Sequence, residues 1–80
     1  MPDDKPRDLG EQPLARLMAE RSLAPADLVA ASSEQITHKM VSRAMKGRRL
    51  TRNTMGKVVR AWNAATEETD SASTLFDYEP

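Results

Sequence analysis

The chain contains no cysteine and a single histidine. Without thiols there is no disulfide framework and no thiolate metal site. One imidazole without a carboxylate cluster beside it supplies no ligand set for structural zinc or a catalytic metal. Aromatic residues are as scarce: one Trp, one Tyr and one Phe in 80 residues leave little on which single-stranded bases would stack. No apolar run approaches the roughly 20 residues that span a bilayer. The first residues, Met1-Pro-Asp-Asp-Lys5, are polar and acidic, unlike a signal peptide. No membrane association and a cytoplasmic location are therefore expected. Also missing are a nucleophile–base pair, paired carboxylates and a glycine-rich phosphate loop, so no enzyme activity, cofactor or small-molecule substrate is expected.

What is present is enough for one small domain with an aliphatic core. At this size stability is marginal, and trimming a core side chain should be costly. The formal net charge is zero, but the charges are sorted along the chain. Residues 1–34 carry four basic and seven acidic side chains. Residues 35–66 carry eight basic ones (Lys39, Arg43, Lys46, Arg48, Arg49, Arg52, Lys57, Arg60) and no acid. Residues 67–80 carry five acids and no base. An acid-free basic segment concentrates positive potential and is the footprint that polyanions bind. A merely solvated surface would mix the two signs.

Residues 1–12 are charged and rich in proline, with Leu9 their only sizeable apolar residue after the initiator, and read as a disordered arm. Pro13 suits the first turn of a helix, and Leu14, Leu17, Met18 and the stem of Arg21 recur at helical spacing over about 13–22. Three further helix starts share one device, apolar residues five apart astride a cap position. They are Leu23/Leu28 with Pro25 and Asp27 between, Ile36/Val41 around Thr37, and Leu50/Met55 around Thr51. Thr hydroxyls there accept from orphaned backbone N–H groups; Ala24 is a poor cap, offset in part by Asp27 near the positive end of the helix. The pattern predicts a second helix over about 25–32, a turn at 32–37, a third helix over 38–46 ending at Gly47, and a fourth over about 52–66. The stripe Met55, Val58, Val59 and Trp62 marks the inner face of the last, with Trp62 closing the core against the first helix. Residues 67–80 read as an acidic, flexible tail whose Leu75, Phe76 and Tyr78 would pair protomers or dock on the domain. Its acids would then compete with DNA for the basic segment.

In the third helix, Met40, Val41, Ala44 and Met45 fall on one face and His38, Lys39, Ser42, Arg43 and Lys46 on the other. A helix that buries one side and shows hydrogen-bonding cations on the other suits a DNA major groove. The stretch Ile36-Thr-His-Lys-Met-Val-Ser-Arg-Ala-Met-Lys-Gly47 resembles the Val-Ser-x-x-x-Ile-Ser-Arg-x-x-x-Gly stretch of the phage-repressor-type (XRE or lambda-repressor-like) helix-turn-helix family. Leu50-Thr51 resembles that family's lead into its fourth helix, and the likeness covers roughly Leu14 to Ala65. The turn Ser32-Ser-Glu-Gln35 departs from it, being about two residues longer and without glycine. The resemblance implies an all-α, compact four-helix domain over 13–66 with disordered termini. It also implies that His38, Lys39 and Arg43 approach base edges.

The chemistry of those side chains agrees. Arg43 can donate a bidentate pair to guanine O6 and N7, and Lys39 can donate to the same acceptors. Arg43 has a second reading as a phosphate clamp, and His38 has second readings as a phosphate contact or a solvated side chain. Thr37 and the N–H groups after it form a natural phosphate site. Ser42 is read as a contact to the DNA backbone, with a base as its second reading. Lys46, Arg48, Arg49 and Arg52 are read as backbone contacts giving affinity and salt dependence without sequence information, and Lys57 and Arg60 are either further contacts or solvated. Met40, Met45 and Met55 read as flexible core filler. The expected function is sequence-specific binding of double-stranded DNA by a small transcriptional regulator, with a homodimer reading an inverted repeat. The alternative is a protein-interaction or antitoxin-like adaptor on the same helical fold.

Overall fold

In the computed structural model, which describes residues 9–79, each local signal for a helix start is used. Helix α1 (Pro13–Glu20) begins with proline at its first position, where the missing N–H has no helical partner to lose. It stops where Ser22 adopts a left-handed φ of 57° and the Leu23 N–H returns to the Met18 carbonyl at 2.8 Å. Helix α2 (Pro25–Ala31) has no side-chain cap from Ala24. Instead the Asp27 carboxylate accepts from the Ala24 N–H at 2.7 Å, which ties down the start of the helix and sets an anion at the positive end of its dipole.

Helices α3 (His38–Lys46) and α4 (Arg52–Thr66) are each capped by a threonine. Thr37 Oγ1 accepts from the Met40 N–H and Thr51 Oγ1 from the Thr54 N–H, both at 3.1 Å. The apolar pairs astride these caps, Ile36 with Val41 and Leu50 with Met55, are all buried. Hydroxyl and staple therefore fix each helix start from within six consecutive residues.

The turn between α2 and α3 does without glycine because α2 ends differently. Ser32 is extended (φ −73°, ψ 138°) rather than left-handed, so its Cβ meets no penalty. Its hydroxyl accepts from the Glu34 N–H at 3.0 Å, supplying the turn that a tight glycine turn would otherwise make. Glycine is needed at the other end of α3. Gly47 has φ 90°, and a Cβ there would lie 1.8 Å from the Gly10 carbonyl oxygen. The Arg48 N–H closes the cap on the Arg43 carbonyl at 2.9 Å, a Schellman arrangement.

The core is one cluster. Leu14 and Met18 of α1, Leu28 of α2, Val41 of α3 and Val58 and Trp62 of α4 are all closed to solvent or nearly so. Helix α2 lies against α3 and α4, and α1 against α3. The described residues form an all-helical domain without a strand. Met55 is buried with this cluster, while Met40 and Met45 are half-buried at its edge.

Two expectations need correction. Residues 67–79 do not form a flexible tail: they fold back and add a fifth helix, α5 (Ala72–Leu75), that packs on α1 and α4. Glu67 turns the chain with a φ of 60°. The Asn63 amide then pairs with both backbone groups of Asp70, at 2.9 and 3.0 Å, and the Trp62 indole N–H donates to the Asp70 carboxylate at 2.8 Å. Leu75 and Phe76 follow into the core. Apolar burial thus outweighs the acid-rich composition of the segment. The arm expected over 1–12 is corrected in its last part, residues 9–12; residues 1–8 lie outside the described residues. The Leu9 N–H donates to the Gly47 carbonyl at 2.7 Å and the Gln12 N–H to the Met45 carbonyl at 3.0 Å. Gln12 is buried, and its side chain donates to the Gly10 carbonyl at 2.9 Å and accepts from the Asp77 N–H at 2.8 Å. A buried amide is tolerated only with such partners, and these join the two ends of the chain at the C-terminal end of α3.

Candidate nucleic-acid interface

Burying Val41 and Ala44 fixes which side of α3 faces out. Lys39, Arg43 and Lys46, spaced four and three apart, form one exposed stripe along it. His38 is exposed beside the stripe at the first turn, and Ser42 is half-buried at its flank. Arg48, Arg49 and Arg52, in the connection to α4 and its first residue, are exposed as well.

Two clefts divide these residues. One, of about 280 Å³, lies between the starts of α3 and α4 and is lined by Thr37, Lys39, Met40, Arg43, Arg49, Leu50, Thr51 and Thr54. It brings together three cations that sequence spacing alone does not place side by side. The positive ends of two helices open beside it, which adds to the field for an anion. The other, of about 380 Å³, holds Ser42, Met45 and Lys46 against Glu11, Ala15 and Pro25. Lys46 and Ser42 thus lie on the flank toward α1 and α2, apart from the three-cation cleft. His38, Arg48 and Arg52 line neither of these two clefts.

The charge balance of the surface separates Arg60 from the rest. Its Nη2 donates to Glu34 Oε1 at 2.8 Å and its Nε to the other carboxylate oxygen. That hydrogen-bonded pairing holds the Glu34 carboxyl below its ordinary value and raises the Arg60 guanidinium above its own. Glu34 therefore neutralises one of the eight bases of the 35–66 segment, and Arg60 is not a free cation for a polyanion. The other ion pair among the described residues joins Arg21 and Glu68 at 2.7 Å. No ion pair among the described residues involves Lys39, Arg43, Lys46, Arg48, Arg49 or Arg52. Six exposed cations in one stretch, without a carboxylate bound to any of them among those residues, leave their charge facing solvent.

Sequence reasoning offered docking of Tyr78 on the domain but named no contact for it. Its hydroxyl accepts from the Leu50 N–H at 3.0 Å and donates to the Arg48 carbonyl at 3.2 Å. The Arg49 guanidinium carbon stands 5.5 Å from the centre of its ring, within cation–π range. Burial, as the largest cause, pushes the Tyr78 phenol above its ordinary value, opposed by the Leu50 N–H and by Arg49. No sequence signal marks this contact, because a tyrosine near a chain end has no periodic relation to a turn 28 residues earlier.

No group of three metal-binding side chains occurs among the described residues, and no helix among them is long and apolar enough to cross a membrane. No family model matches the chain, and no curated protein or solved structure matches it either.

Proposed function

We propose that this protein binds double-stranded DNA, with α3 lying in the major groove, as a small transcriptional regulator of the phage-repressor helix-turn-helix type. The observation that carries the reading is the exposed cation set from Lys39 to Arg52, none of it paired with a carboxylate among the described residues. A surface built for protein contact alone has no need of so many uncompensated charges, whereas a duplex gains affinity from each phosphate neutralised. The support from shape is that α3 is short, capped at both ends and held over α2, so its outer stripe is presented rigidly.

In this reading Lys39 and Arg43 reach guanine edges, with His38 beside them at the start of the helix. Arg43 lines the three-cation cleft with Lys39 and Arg49, so its second reading is a phosphate clamp. Thr37, Arg48, Arg49 and Arg52 take backbone phosphates along one side of α3, and Ser42 and Lys46 along the other. A module of this size buries only a modest interface, so two copies on an inverted repeat would supply the affinity that one lacks.

Substitution separates the two kinds of contact. Arg43→Ala should cost about 1–3 kcal/mol on the preferred site and relax preference at one base position. Arg49→Ala should weaken binding to all duplexes alike and make the log–log salt slope shallower by about 1. Mobility shifts on several duplexes at two salt concentrations read both effects. Identical behaviour of the two variants across sequences would contradict the assignment of α3 as the reading helix.

A further inference from the structure

We infer that the C-terminal segment is a brace for the DNA-binding surface, with Tyr78 positioning Arg49. The inference rests on the DNA reading above and adds to it a residue outside the helix-turn-helix stretch.

The connection between α3 and α4 has no regular structure of its own to fix it. After the left-handed Gly47, the Arg48 N–H closes the cap of α3, while the Arg48 carbonyl and the Leu50 N–H both meet a single phenol. Tyr78 accepts from Leu50 and donates to Arg48, which pins the peptide on each side of Arg49. Its ring carries the Arg49 guanidinium at 5.5 Å, and the Glu79 carbonyl accepts from Arg49 Nη1 at 3.2 Å. Tyr78 is itself held by the edge of Phe76, with ring centres 5.9 Å apart, and Phe76 is fixed in the core. The Asp77 N–H bonded to Gln12 locks the same strand of chain from the other side.

An acidic tail folded over a basic surface invites the opposite reading, that it shields the cations from DNA. The contacts argue against it. Asp77 and Glu79 form no ion pair with Arg48 or Arg49. What holds Arg49 is a ring face and a backbone carbonyl, neither of which cancels its charge. Arg49 stays exposed and still lines the cleft with Lys39 and Arg43. An arginine carries large rotamer entropy, and ordering it before binding removes that cost from association. The geometry is that of a preordered phosphate contact.

The test compares the full chain with Tyr78→Ala, Tyr78→Phe, Arg49→Ala and the Arg49→Ala/Tyr78→Ala double variant. Each is titrated with a pool of random-sequence duplexes at several salt concentrations, and Leu50 amide exchange is followed without DNA. Tyr78→Ala should weaken binding about 2- to 10-fold, the range of one lost hydrogen-bonded contact, and bring the salt slope toward that of Arg49→Ala. The double variant should bind no worse than Arg49→Ala alone, since Tyr78 acts through that side chain. Tyr78→Phe keeps the ring under Arg49 and should keep the wild-type salt slope while speeding exchange at Leu50. Tighter binding by Tyr78→Ala would show a shield instead of a brace, and additive losses in the double variant would remove Arg49 from the path. Should Tyr78→Ala fail to fold, Tyr78→Phe decides: unchanged exchange at Leu50 overturns the brace. If the wild-type chain binds no duplex, the DNA reading falls and the positioning role with it, while exchange at Leu50 still judges the brace.

Discussion

Helix α3 and the segment from Asp70 to Glu79 are both held in place, but by partners at opposite distances. The cap, staple and stop that shape α3 lie within a few residues of it, at Thr37, Ile36–Val41 and Gly47, and only the Leu9 and Gln12 N–H groups at its C-terminal end come from farther off. The C-terminal segment has one short turn of helix, and beyond the bonds of Asp70 to Trp62 and Asn63 the partners that fix it are far along the chain. Asp77 bonds to a residue 65 positions earlier and Tyr78 to one 28 positions earlier. The first region carries most of its own instructions, and takes from elsewhere its buried face and the bonds from residues 9–12 at its end. The second acquires its structure by docking. The lesson is that a surface can look self-contained in sequence and still depend on a distant segment for the pose of one of its cations.

The sharpest way to break the comparison is to undock the tail. Phe76→Ala should cost about 3–5 kcal/mol, the range for a buried aromatic ring lost from a core, read as a fall in the denaturant midpoint. For a domain this small that is a large share of its stability. A loss under about 1 kcal/mol would mean that the tail merely rests on the domain. Next comes the stop of α3. Gly47→Ala should cost about 2–3 kcal/mol, combining left-handed strain with displacement of the Gly10 carbonyl and its neighbours. If alanine is accepted without loss, the close approach of residues 9–12 to this end of α3 is wrong.

A smaller effect belongs to the cap, the most local device of all. Thr37→Ala should cost about 1 kcal/mol and Thr37→Ser almost nothing, since the hydroxyl is what accepts from Met40. Smallest is the ion pair of half-buried Glu34 with exposed Arg60. Because the folded chain holds the Glu34 carboxyl below its ordinary value, its contribution is present above the unfolded carboxylate value. That contribution fades as the pH falls through the lower, folded one. Glu34→Gln should therefore lower the denaturant midpoint slightly near neutrality and match the wild type in acid. A difference that grows in acid would contradict the pairing.

The same contrast explains what could be read from the chain. The ranges 38–46 and 52–66 for the third and fourth helices coincide with α3 and α4, because caps and staples are written in adjacent residues. The burial of Leu28, Val41, Met55 and Trp62 follows from helical spacing for the same reason. Docking of Leu75 and Phe76 on the domain was legible only as one alternative, because their acid-rich neighbours suggest solvent and the sites that receive them are formed by α1 and α4. Gln12 gave no signal either: a polar residue beside charged ones becomes buried only because Asp77 and Gly10 come to its amide. At the candidate site, helical spacing fixes the order of Lys39, Arg43 and Lys46 on the outer face. The approach of Arg49 to Lys39 and Arg43 depends on the path from Gly47 to Thr51, which no spacing rule describes. The pairing of Arg60 with Glu34 was hidden likewise, by 26 residues of intervening chain.

The central claim, that the outer stripe of α3 reads duplex DNA, is tested most directly by selection from a random duplex library. Wild-type protein and Arg43→Ala would be run in parallel. The account predicts that the wild type enriches a short motif with guanine at a fixed position, repeated in inverted orientation if two copies bind, and that Arg43→Ala enriches the same motif with that position relaxed. No enrichment by the wild type, or one motif unchanged in every position by Arg43→Ala, would contradict it.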